Sequence, residues 1–89
     1  MKIAVLDTYV QRPDGRRMHF DILVRDQAAD RAPEVVEAHG RRYLAAKGIP
    51  AEILNARHCR FCHIETAPPA VQAEIERSGF AIIEMEHCD

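Results

Sequence analysis

The stretch Arg12-Pro13-Asp14-Gly15-Arg16 lies between two segments that read as β-strands, and it constrains the fold more than any other feature. Residues 2–10 are rich in β-branched and apolar types, and residues 17–24 alternate apolar with polar side chains. Proline presets φ for a type I turn, and glycine after it tolerates φ > 0, so Pro13, Asp14 and Gly15 predict a three-residue hairpin loop. Arg12 then faces Arg16, and counting back pairs Tyr9 with His19, Asp7 with Asp21 and Val5 with Leu23. On the other face Val10 meets Met18, Thr8 meets Phe20 and Leu6 meets Ile22. One face is apolar throughout. The other is divided, with Asp7, Tyr9, His19 and Asp21 at the turn end and Ile3, Val5 and Leu23 at the far end. A shift of one residue would scatter the four polar residues over both faces, so this grouping rests on the loop length.

The remaining chain punctuates itself clearly. From about Asp30 to Lys47 the pattern is helical, with Pro33 in the first turn, Glu34 and Glu37 near the start, and Arg41, Arg42 and Lys47 toward the end, as the helix dipole favours. Gly48 and Pro50 stop it, and Val36, His39 or Gly40, Tyr43 and Leu44 form its inner stripe. Ala51 to Ala56 reads as a third strand. Thr66-Ala67-Pro68-Pro69 opens a second helix that runs through Ser78 to Gly79, and Phe80 to Met85 closes the chain as an apolar strand. The order ββαβαβ predicts a two-layer α+β fold, with a four-stranded mixed sheet and two helices on one of its faces.

Eighty-nine residues suffice for a single domain, residues 1–89, and 47% hydrophobic with 29% charged residues suits a folded globular chain. The net charge of −2 gives no overall field toward nucleic acid or an anionic membrane, and Arg16-Arg17 and Arg41-Arg42 read as solvated surface. Asp7 interrupts the N-terminal apolar run before a secretory signal is complete, and no run is long enough to span a bilayer, so a cytoplasmic protein is expected. Three cysteines in a reducing compartment favour free thiols, a metal site or redox work over a disulfide framework.

Two of those cysteines stand in His58-Cys59-Arg60-Phe61-Cys62-His63, and the third is Cys88. In a tight turn, the two-residue spacer lets both thiolates reach one tetrahedral zinc, which Cys88 and His63 would complete; His19, His58 and His87 are further donors. A neighbouring thiol, Arg60 and His63 could instead lower a thiolate pKa for redox or nucleophilic work, although His63-Ile64-Glu65 separates the pair from the following helix. The pentapeptide also matches covalent haem attachment, but that is an export-side process, so no haem is expected. If residues 59–65 are a strand, alternation puts Cys59, Phe61 and His63 on one face and Cys62 with Ile64 on the other, and no ion takes both thiolates.

The polar cluster Asp7, Tyr9, His19 and Asp21 is a second candidate. Two carboxylates directly opposite on a sheet repel unless a cation, a shared proton or an arginine lies between them. A divalent metal, a general acid/base pair and a solvated sheet face all satisfy that requirement. His39 and His87 read as surface or satisfied groups.

Asp7-Thr8-Tyr9-Val10, Met18-His19-Phe20-Asp21, Cys59-Arg60-Phe61-Cys62-His63 and Glu84-Met85-Glu86-His87-Cys88, in this order over nearly the whole chain, resemble the DUF2024 family of small bacterial proteins. The resemblance implies a stand-alone two-layer α/β protein and carries no established activity. The family pattern has Gly at the position of His87 and an acidic residue at that of His58. By that resemblance Cys59, Cys62, His63, Cys88 and His19 are the better ligands. The expected function is a structural or regulatory zinc held by Cys59, Cys62, His63 and Cys88. The alternatives are a thiol-dependent redox protein or enzyme, and a metal-free binding module using the Asp7, Tyr9, His19, Asp21 face. Partners are unspecified beyond the exclusion of nucleic acid and membrane, and a homodimer is allowed.

Overall fold

A computed structural model describes residues 1–89. Strands β1 (Lys2–Gln11) and β2 (Arg17–Arg25) form the expected hairpin. The Arg12 N–H donates to Arg16 O at 2.8 Å, the Gly15 N–H to Arg12 O at 2.9 Å, and Gly15 has φ 92°. The pairs Val5–Leu23, Leu6–Ile22, Asp7–Asp21, Thr8–Phe20, Tyr9–His19 and Val10–Met18 are those set by the loop length.

Helix α1 (Pro33–Ala46) starts three residues later than the sequence reading and buries Val36, Gly40 and Leu44. Gly48 follows with φ 76°. The strand expected over residues 51–56 does not form. Two 3-10 turns, Ala51–Ile53 and Ala56–His58, take its place. The cause is local chemistry: the Asn55 side chain accepts from the Arg57 N–H, and His58 Nδ1 accepts from the Asn55 N–H at 3.0 Å, a reciprocal cap that competes with extended backbone. Leu54 between the turns is fully buried. Strand β3 is Cys59–Thr66, helix α2 is Pro69–Ser78 with Gly79 at φ 89°, and strand β4 is Ala81–Glu86.

The sheet order is β3-β1-β2-β4, and every neighbouring pair is antiparallel. This corrects the expected mixed sheet. Strands β2 and β3 do run in the same direction across the α1 crossover, but β1 lies between them, so the parallel pair never becomes adjacent.

The helices also sit differently from the expectation of a single covered face. Val36 and Leu44 of α1 cluster with Ala4, Leu6, Phe20 and Ile22, whereas Ile75 of α2 clusters with Ile3, Val5 and Leu23. Successive side chains on a strand point to opposite faces, so α1 and α2 cover opposite faces of the sheet. The division of the second face thereby finds its reason: α2 covers the apolar far end, and the turn end carrying Asp7, Tyr9, His19 and Asp21 has no helix over it.

The C-terminal residues fold back against the hairpin. Arg12 Nη1 donates to the carbonyls of His87 and Asp89, each at 2.8 Å, and Cys88 is buried in the α1-side core. His87 has φ 55°, a left-handed conformation that glycine adopts without steric cost. No helix is long and apolar enough to cross a membrane.

Candidate functional site

Asp7, His19 and Asp21 are brought to one point by the register of the β1–β2 ladder. Asp7 and Asp21 are directly opposite each other, and His19, two residues before Asp21, shares their face. His19 Nε2 lies 3.5 Å from Asp7 Oδ1 and 3.5 Å from Asp21 Oδ1. His19 Nε2 and Asp21 Oδ1 are both shielded from water, and neither has a hydrogen-bond partner. These three residues are the one group in the chain whose His, Cys, Asp or Glu ligand atoms gather in threes within 4.8 Å.

Stacking holds the imidazole in place. The Tyr9 ring lies parallel to His19 with centroids 4.1 Å apart, and the Arg17 guanidinium covers the other side of Tyr9 at 4.3 Å. The stack orients Nε2 toward the carboxylates at little entropic cost, because each ring is confined by its neighbour.

The carboxylates divide their titration unequally. Burial, then the adjacent Asp7, pushes Asp21 up to about 6. Asp7, more exposed, is held below the ordinary carboxylate range by its hydrogen bond to Asp21 and by His19. The pair therefore retains one proton well above the pH at which isolated carboxyls have lost theirs.

The cysteine set does not converge. Strand β3 pairs with β1 through a bulge: Phe61 faces Leu6 and His63 faces Val5, leaving Cys62 as the extra residue. Cys59, opposite Thr8, packs against the α1-side core. Cys62 comes near Asp7 on the other face, with its Sγ 3.2 Å from His63 Nδ1. The bulge also corrects the simple alternation in which His63 shares a face with Cys59, because the inserted residue carries His63 to the side of Val5. His63 Nε2 meets Glu65 at 3.0 Å. Cys88 is inside the core, where its thiol donates to His19 O at 3.2 Å. Cys62 and His63 meet, but Cys59 and Cys88 lie apart from them on the α1 side, so the four do not converge: a strand separates what a tight turn would unite. All three cysteines are free. Burial raises the Cys59 thiol, and partial desolvation with the nearby Asp7 raises Cys62, opposite to the shift that activates a nucleophile.

The largest cavity, about 480 Å³, lies elsewhere, between α1, α2 and the start of β4. It is lined mainly by apolar side chains such as Tyr43, Val71, Phe80 and Ile82, with Arg42 and Glu74 as its charged members. A smaller groove of about 370 Å³ adjoins the cluster through Tyr9 and brings in Arg17, Arg57, His58 and Arg60. The sequence reading took Arg17 as solvated surface and Arg60 as a neighbour of the thiols and did not group them with Arg57, since nothing in the chain signals that residue 17 and residues 57–60 meet.

Fold and site together define a small α+β protein whose antiparallel sheet leaves half of one face open around a carboxylate–imidazole cluster. The chain belongs to the family described as Domain of unknown function (DUF2024), whose sequence profile matches residues 1–85. It is similar in structure to protein NE1680 from Nitrosomonas europaea, a structural-genomics target solved by NMR, with 36% identity, a TM-score of 0.82 and 100% of both chains covered. No curated protein matches the chain.

Proposed function

We propose that the protein binds a divalent transition-metal ion through Asp7, His19 and Asp21, with coordination positions left open for a small ligand. The observation that carries this reading is the pair of buried, unpartnered atoms, His19 Nε2 and Asp21 Oδ1. At 3.5 Å they are too far apart for a good hydrogen bond. Two ligands about 2.0–2.1 Å from one tetrahedral ion stand about 3.4 Å apart, so the spacing suits a shared metal. Imidazole with two carboxylates fits zinc, iron or manganese better than magnesium or calcium. Three protein ligand atoms gathered within 4.8 Å resemble catalytic metal sites more than closed four-ligand structural ones. Zinc remains a candidate ion, now at the sheet cluster.

A second reading needs no metal. Asp21, pushed up to about 6 beside an ionised Asp7, suits a general acid/base pair sharing one proton. Calorimetric titration of chelator-treated protein with Zn²⁺ and Mn²⁺ separates the two. Stoichiometric binding that His19→Ala or Asp21→Asn abolishes, and that Cys62→Ser leaves intact, supports the metal site. Absence of binding, or loss of binding in Cys62→Ser alone, overturns it.

A further inference from the structure

The chain has ten arginines. Arg12, Arg16, Arg25, Arg31, Arg41 and Arg77 each have a carboxylate oxygen within 4.0 Å. The other four are Arg17, Arg42, Arg57 and Arg60, and three of these four line one groove. In a protein with net charge −2, this concentration of arginines without a carboxylate partner is a local feature of the fold.

The groove is built from three separate segments. Arg17 opens β2, Arg57 belongs to the second 3-10 turn, and Arg60 lies on β3 opposite Asp7 of β1. Its other polar lining consists of Tyr9, Gln11 and His58, and no carboxylate lines it. His58 Nδ1 accepts the Asn55 N–H, so in the neutral ring Nε2 carries the hydrogen and is a donor. Gln11 is engaged through Nε2 with the Gly15 carbonyl. The charged groups lining the groove are thus all cationic, and its free nitrogen groups are donors.

We infer that this groove binds the phosphate group of a small phosphorylated molecule. Three guanidiniums offer more N–H donors than a single carboxylate can accept, whereas a phosphate monoester carries close to two negative charges and three free oxygens. The volume, about 370 Å³, lies toward the lower end of small-molecule sites, leaving room for an organic group beside the phosphate. The stack of Arg17 on Tyr9 and Tyr9 on His19 joins the groove to the carboxylate cluster, so a ligand anchored by its phosphate would lie beside Asp7. The inference rests on the arginines and stands whether or not a metal occupies the cluster.

The test is an amide NMR titration of the full chain with inorganic phosphate and with phenyl phosphate, ionic strength being held constant with chloride. Saturable shifts confined to Gln11, Arg17 and residues 57–60 are expected, with phenyl phosphate binding at least as tightly as inorganic phosphate. Arg57→Gln with Arg60→Gln should weaken binding at least about tenfold, the cost of losing charge-assisted contacts. Arg42→Gln, unpaired but outside the groove, should not change it. These arginines are exposed, so the variants keep the wild-type spectrum elsewhere. Shifts that do not saturate, that follow chloride equally, or that survive the double substitution overturn the inference. Saturation by a single-stranded oligodeoxynucleotide with no saturation by either phosphate also overturns it, in favour of a nucleic-acid surface.

Discussion

Asp7 and Asp21 face each other across the central ladder of the sheet, and the more buried of the two is the one that keeps its proton. Its raised pKa means that the folded chain binds a proton the unfolded chain has released in the window between about 4 and about 6. Asp21 therefore weakens the fold as pH rises through that window. In metal-free protein, Asp21→Asn should match wild type near the lower limit and melt higher above the upper one, by about 1 kcal/mol after allowing for solvent screening. Melting curves across the window check this, and a variant less stable than wild type at neutral pH would show the carboxylate to be satisfied in the fold.

The same proton competes with a metal. Binding of Zn²⁺ or Mn²⁺ must displace it, so affinity at the cluster should fall as pH drops below about 6 and level off above it. In Asp21→Asn stoichiometric binding should be absent across the same pH range. Calorimetry at several pH values, in buffers of different ionisation enthalpy, would count the protons released.

Ile75 is the one fully buried side chain of α2, and it rests on Ile3, Val5 and Leu23. Ile75→Ala should cost about 2–5 kcal/mol, read as a lowered melting midpoint. Because α2 covers the half of the face beside the cluster, hydrogen exchange should rise along α2 before it rises along α1.

Gly40 is where α1 comes closest to the rest of the core. A Cβ there would stand 2.9 Å from Leu54 Cδ1 and 3.2 Å from Ile22 Cδ1, and both partners are fully buried. Gly40→Ala should destabilise by about 1–2 kcal/mol, since overpacking exceeds the gain in helix propensity. Adding Leu54→Ala should recover part of that loss relative to the sum of the single changes.

The thiols should react in the order Cys62, Cys59, Cys88, from exposed to partly covered to buried. With Cys59 and Cys62 both shifted upward, alkylation at neutral pH should be slow and should accelerate on raising the pH. Mass spectrometry of time points resolves the three sites. Fast labelling of Cys62 at neutral pH would restore the thiol-enzyme reading.

Local chemistry determined a great deal. Pro13-Asp14-Gly15 set the loop, the loop set the register, and the register placed Asp7, Tyr9, His19 and Asp21 together, because side chains on paired strands alternate with a period of two. Pro33, Gly48 and Gly79 bounded the helices for equally local reasons. The cysteines were ambiguous because Cys-X-X-Cys is compatible with a turn or a strand, and only pairing with β1, bulged at Cys62, decided between them. Asn55 and His58 could outcompete a strand only once their mutual cap was formed. The side of the sheet taken by α2 was likewise undetermined, since Ile75 and Val71 show that the helix has an apolar stripe without showing which face receives it. The meeting of Arg17 with Arg57 and Arg60 joins residues far apart in the chain. Such convergence depends on strand order, which is set by the packing of the whole molecule and leaves no periodic trace in the sequence.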